Sequence, residues 1–182
     1  MNAQILILAI LNFGEATGYE IKKMSTEGAY SYFVDISYGS IYPTLARLEK
    51  DGLVTVRAEQ KSGKPDRKIY SITEQGRLEF IKSLCVLPSE DKFKSEFLLI
   101  AMMAEMGTRQ SVTSAVDARI EFISAELEMI KEHLVDCDHP GTKWVGEYGK
   151  AIKQFDLDFL KKNRDSLIAI AGTGHGLGKA AE

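Results

Sequence analysis

The sequence predicts a mostly α-helical protein with one small β-hairpin, divided into residues 1–86, 87–171 and a glycine-rich tail at 172–182. Three observations lead there. Between residues 36 and 73 an amphipathic helix is followed by two short runs of alternating polarity. Beyond residue 92 three apolar stripes recur at helical spacing. Charge divides along the same line: residues 1–84 hold 11 basic and 10 acidic side chains, and residues 85–182 hold 12 and 16.

The first element is a helix over residues 1–12, its run at 5–11 apolar enough to be buried. That run lacks a basic leader and is too short to cross a bilayer, so neither secretion nor membrane insertion is expected. Residues 14–18 read as a turn that delivers Thr17 as the cap of a second helix, with Tyr19, Ile21 and Met24 facing the first. A third helix starts at Asp35 or Ser37 and ends at Gly52; Ile41, Leu45 and Leu48 form its apolar side. Two strands follow, 53–59 and 68–72, alternating Val54 and Val56, then Tyr70 and Ile72, toward one face. Thr73 opens a fourth helix with Leu78, Ile81 and Cys85 on one side, stopped by Pro88.

The outer side of the third helix is its informative side. Ser40, Pro43, Arg47 and Lys50 point away from the apolar stripe with Tyr42 on the flank, offering hydroxyls, a phenol and cations to a groove. The strands are joined by a loop carrying Lys61, Lys64, Arg67 and Lys68 against the single acid Asp66. Such a tip suits phosphate and adds salt-sensitive, sequence-independent affinity. Taken alone, the loop fits a solvated hairpin kept soluble by its charges equally well. Helix and loop together make a winged helix-turn-helix, one helix entering a major groove about 12 Å wide while the wing rides the backbone. The expected DNA-contacting set is Ser37, Tyr38, Gly39, Ser40, Tyr42, Pro43, Arg47, Lys61, Lys64, Arg67 and Lys68.

At these residues the chain resembles the PadR family of bacterial transcriptional regulators. The resemblance is carried by GYEI at 18–21, GSIYPTLARLE at 39–49 followed by GLV at 52–54, and RKIYSITEQG at 67–76. It is specific over residues 1–84; beyond them the likeness to the family's variable helical dimerisation domain is one of length and pattern. The resemblance implies an N-terminal winged helix-turn-helix plus a C-terminal helical dimerisation domain. It further implies a homodimer on a palindromic double-stranded DNA operator, commonly a repressor released by a small molecule.

Spacing alone says that the second half is helical and needs partners. Phe93, Phe97, Ile100, Ala101 and Ala104 form one stripe; Val112, Val116, Ile120, Ile123, Leu127, Ile130 and Leu134 a second; Trp144, Tyr148, Ile152, Phe155 and Phe159 a third. The near-heptad middle stripe suits coiled-coil or antiparallel packing, and an intramolecular three-helix core suits it equally. Ile123, Leu127, Ile130, Trp144, Tyr148, Ile152, Phe155 and Phe159 are the expected subunit interface. Met102, Met103 and Met106 with Trp144 could line a pocket for a small aromatic or apolar effector, although a methionine-rich helix is more often plain core.

Other chemistry finds little footing. A length of 182 residues, 45% hydrophobic, with net charge −3, fits an ordinary soluble chain, and an enzyme of that size is not excluded by composition. Cys85 and Cys137 make no disulfide framework and fit a reducing cytoplasm. His133, Cys137 and His139, with Asp136 or Asp138, match no standard zinc spacing, so no metal is expected. The run GTGHGLGK at 172–179 follows a helix where a phosphate-binding loop follows a strand, and lacks the hydroxyl after lysine. No cofactor and no catalytic constellation is expected. The competing readings are a winged-helix module for protein contact or RNA binding, and an unrecognised helical enzyme.

Overall fold

A computed structural model describes residues 2–26, 29–34, 36–59 and 67–174. The chain forms two compact units, Met1–Asp91 and Lys92–Glu182. This division and the expected one at 86/87 both lie in the irregular stretch between Leu84 and Glu96.

In the first unit, α1 (Ala3–Phe13) begins at Asn2, whose side-chain oxygen accepts from the Ile5 N–H at 3.2 Å. Leu6, Ile7, Leu8, Ile10 and Leu11 are buried because the helices at Gly18–Thr26, Ile41–Lys50 and Glu74–Leu84 all pack on this one. Where the sequence read a turn, Ala16–Thr17 forms strand β1, antiparallel to the later strand Arg67–Ile72 with Ala16 opposite Tyr70 and Thr17 opposite Ile69. Two residues are too few to show a period, so the strand exists only through its partner.

Helix α2 (Gly18–Thr26) opens with a reciprocal cap. The Glu20 N–H donates to Thr17 Oγ1 at 3.2 Å, and the Thr17 N–H donates to the Glu20 carboxylate at 2.8 Å. Donation to the Glu20 carboxylate from the Thr17 backbone N–H, and then from its hydroxyl, holds that carboxyl below its ordinary pKa. Ile21 and Ser25 face inward with Met24 beside them, whereas Tyr19 is exposed, against expectation, because it lies on the opposite side of this short helix.

The third helix also starts later than expected. Tyr38–Ser40 form one 3-10 turn, and α3 runs Ile41–Lys50. Pro43 cannot donate to the Gly39 carbonyl, so α-type bonding does not extend back through it. Asp35, the alternative start, lies outside the described residues. The helix ends as the glycine at 52 requires: φ is +71°, Gly52 N–H bonds the Glu49 carbonyl at 3.1 Å, and Leu53 N–H bonds that of Leu48 at 2.9 Å. β2 (Val54–Glu59) and β3 (Arg67–Ile72) pair antiparallel, giving the sheet order β1-β3-β2.

Helix α4 (Glu74–Leu84) is capped by Thr73, whose hydroxyl accepts from Gly76 N–H at 3.0 Å and donates to the Gly52 carbonyl at 2.8 Å. A side chain at Gly76 would meet the Leu53 carbonyl oxygen at 2.1 Å, so backbone packs on backbone there. Phe80 touches the core, but Leu78, Ile81 and Cys85 are exposed. The stripe expected to bury α4 therefore lies on its outer side.

The second unit contains α5 (Glu96–Met102), α6 (Arg109–Val135) and α7 (Pro140–Ile170), capped by Ser95, Thr108 and His139. Val112, Val116, Ile123 and Leu127 of α6 bury against Leu157, Leu160 and Ile168 of α7. Charges fix the antiparallel register: Asp117 pairs bidentately with Arg164, Arg119 with Asp156 at 3.4 Å, and the buried Glu126 with Lys153 at 2.5 Å.

Candidate nucleic-acid interface

The site is built on α3. Its inner side is wholly committed: Ile41, Leu45 and Leu48 are buried to 0% exposure, and Thr44 is buried with its hydroxyl donating to the Ser40 carbonyl at 2.7 Å. That commitment fixes the rotation of the helix. Ser37, Tyr38, Gly39, Tyr42, Pro43 and Arg47 consequently lie exposed, Tyr38 at 50% and Tyr42 at 51%, with Ser40 half-buried. The Ser40 hydroxyl already donates to the Ser37 carbonyl at 2.7 Å, so toward an external ligand it serves as an acceptor.

Helix α2 sets the two tyrosines. A Cβ on Gly18 would fall 2.8 Å from the Tyr42 ring, so the absence of a side chain there lets the ring lie against the α2 backbone. One turn along α2, the Lys22 ammonium sits 4.3 Å from the centroid of the Tyr38 ring. Gly18 and Lys22 on α2 thus face Tyr42 of α3 and Tyr38 of the turn before it in antiparallel order.

The ribbon beside α3 is anchored by a side-chain network the sequence did not disclose. Glu15 accepts from Arg57 at 2.6 Å and from Ser71 at 2.6 Å, joining the start of β1 to β2 and β3. The Arg57 hydrogen bond, then that of Ser71, lowers the Glu15 pKa, and Arg57 is raised in return. These partners stand 42 and 56 positions apart, too far for any local pattern to link them. Arg57 is therefore occupied in holding the sheet. Arg67 and Lys68, at the other end of the ribbon, are exposed. Lys61 and Lys64, expected at the wing tip, lie outside the described residues.

In the second unit, the expected interface residues separate into two groups. Ile123 and Leu127 are enclosed in the chain's own α6–α7 core, which corrects their assignment to a subunit interface; Ile130 is half-buried. Trp144, Tyr148, Ile152, Phe155 and Phe159 are instead exposed along one side of α7, Trp144 at 69% and Phe155 at 73%. The Trp144 and Tyr148 rings stack at 5.6 Å and 6°. Phe93 and Ile100 are likewise exposed, while Phe97 is half-buried against the core.

A cavity of about 320 Å³ opens between α5, α6 and α7, lined by Phe97, Leu98, Ala101, Leu160 and Leu167, with the Arg119–Asp156 pair at its polar edge. Met102, Met103, Met106 and Trp144 do not line it and are exposed, so they form neither the pocket that the sequence allowed nor the plain core that it favoured. No described helix is long and apolar enough to cross a membrane.

Residues 7–82 match the model of the transcriptional regulator PadR-like family. The chain is 29% identical over 122 residues to the negative transcriptional regulator PadR of Bacillus subtilis, a match covering 66% of each. It superposes on the crystal structure of smu.1604c from Streptococcus mutans with TM-score 0.78 and 30% identity, covering 91% of this chain and 99% of that one. Against the PadR-like regulator BC1756 of Bacillus cereus the values are 0.75, 26%, 92% and 99%.

Proposed function

Because the chain belongs to the PadR-like family of transcriptional regulators, we propose that it binds a palindromic double-stranded DNA operator as a homodimer and represses the genes beside it. The observation that carries this reading is the outer side of α3, left bare while the inner side is buried to completion. In this reading Ser40, Tyr42 and Arg47 meet base edges and nearby phosphates from the major groove. Ser37, Tyr38, Gly39 and Pro43 shape the entry, and Lys61, Lys64, Arg67 and Lys68 follow the backbone. Bacillus subtilis PadR has been solved with operator DNA and with p-coumaric acid.

The partner for α7 is a second copy of this chain. One recognition helix reads only a few base pairs, so a specific site calls for two helices about 34 Å apart on one face of the duplex. Covering an aromatic of 150–250 Å² contributes on the order of 4–6 kcal/mol at about 25 cal/mol/Å², an upper figure before entropy is charged. Trp144, Tyr148, Ile152, Phe155 and Phe159 supply that surface. A small aromatic or apolar effector fits the α5–α6–α7 cavity, where it would act by changing how the subunits are held. Such a regulator works in the cytoplasm and needs no catalysis.

The test is binding of the full chain to a panel of duplexes. Replacing Ser40 or Tyr42 is expected to change sequence preference, whereas truncating Arg67 or Lys68 weakens all sequences alike and flattens the salt dependence. Equal binding by wild type and Arg47→Ala on every duplex would move the chain to the protein-contact or RNA-binding reading.

A further inference from the structure

Lys22 was not among the residues the sequence singled out, yet the fold places it on the reading side of the first unit. Its backbone belongs to α2, whose carbonyl there accepts from the Thr26 hydroxyl at 2.8 Å, so the position is fixed from within the helix. The side chain is half-buried, and its ammonium rests 4.3 Å from the centroid of the Tyr38 ring. Tyr38 begins the 3-10 turn that leads directly into α3. Among the described residues no carboxylate forms an ion pair with Lys22.

A ring face attracts a cation without neutralising it, and it restricts a side chain that would otherwise sample many rotamers. Lys22 is thus held in a restricted position, one helical turn from the glycine that seats Tyr42. A DNA phosphate is the ligand such a group would take at the mouth of a groove entered by α3, because a lysine recognises phosphate as a point charge. We infer that Lys22 is a DNA-backbone contact, steadied by Tyr38, which sets the depth at which α3 enters the groove. This rests on the regulator reading above and adds to it a phosphate contact made from α2.

The experiment is a salt titration of the full-length wild type, Lys22→Gln and Lys22→Arg on a fixed random-sequence duplex and on DNA from the chain's own upstream region. One phosphate contact corresponds to a slope of about 0.9 in log K against log salt, which amounts to roughly eight-fold in affinity at 0.1 M. Lys22→Gln is expected to lose that slope increment and about that factor on both duplexes, and Lys22→Arg to retain both. A merely structural Lys22 would alter affinity without altering the slope, so an unchanged slope in Lys22→Gln overturns the inference whatever happens to affinity. Tyr38→Leu supplies a second arm: it should lower affinity on both duplexes by loosening the lysine, and wild-type affinity in that variant also overturns the inference. Wild-type protein that binds neither duplex would overturn the regulator reading, and this contact with it. Wild-type binding with an unchanged Lys22→Gln slope removes only the contact.

Discussion

The two units finish their cores to different degrees. In Met1–Asp91, α1 is enclosed by three other helices and a three-stranded sheet, and thirteen apolar residues from Leu6 to Tyr70 form one buried cluster. In Lys92–Glu182, two long helices bury a single seam against each other and leave the far side of α7 bare, from Trp144 to Phe159. An aromatic row of that length serves no purpose in water. The difference teaches that the first unit closes its core around α1 and keeps the outer side of α3 polar, although Leu78 and Ile81 stay exposed on α4, whereas the second leaves a row of aromatics on α7 uncovered, the surface proposed above for a second copy.

The strongest attack on this contrast is Leu45→Ala. The residue is buried to 0% at the centre of the first core, and its truncation should cost about 2–5 kcal/mol. Thermal unfolding monitored by circular dichroism should show that loss as a lowered first transition; an unchanged transition would mean the core is not the finished one described. Next comes Phe155→Ser combined with Trp144→Ser. Losing one central aromatic anchor costs about 2–4 kcal/mol at an interface and two such losses do not simply add, so the dimer should weaken by at least about thirty-fold in sedimentation equilibrium while helix content is kept. If those two changes leave the assembly intact, the exposed row is not where copies meet.

Smaller effects sharpen the comparison on the polar side. Arg47→Ala should weaken DNA binding by about 1–3 kcal/mol without changing the unfolding temperature, because Arg47 touches solvent while its neighbours Leu45 and Leu48 carry the packing. A fluorescence anisotropy titration beside a melt checks both halves of that statement. Smallest is Glu15→Gln. The folded-state pKa of Glu15 lies below the usual 4.5, so its contribution is present above pH 4.5 and is lost as the pH falls below it through the folded value. The wild-type ribbon should therefore loosen in acid more steeply than that of Glu15→Gln, which hydrogen exchange at Tyr70 and Ile69 would read.

Much of this was legible in the sequence because local chemistry decided it. Thr17, Thr73 and Gly52 each act within four residues of themselves, as caps or as a left-handed turn, and each could be found by spacing. The side of α3 that stays bare could be found too, since Ile41, Leu45 and Leu48 leave only one rotation. What was not legible depends on partners far off in the chain. β1 is a strand only because Tyr70 and Ile69 lie beside it, and Glu15 finds Arg57 and Ser71 only after folding. Periodicity also reports that a stripe is apolar without saying what covers it: Ile123 and Leu127 turn inward, whereas Leu78, Ile81 and Phe155, equally apolar, turn out.

The central claim, that the bare side of α3 reads a symmetric operator as a pair, is tested most directly by hydroxyl-radical footprinting of the purified chain on its own upstream DNA. The account expects two equivalent protected patches about 34 Å apart on one face of the duplex, saturating at two chains per site, and both shifted to higher protein concentration with Arg47→Ala. Protection confined to one asymmetric patch at one chain per site, or no protection at any concentration that saturates nonspecific binding, would contradict it.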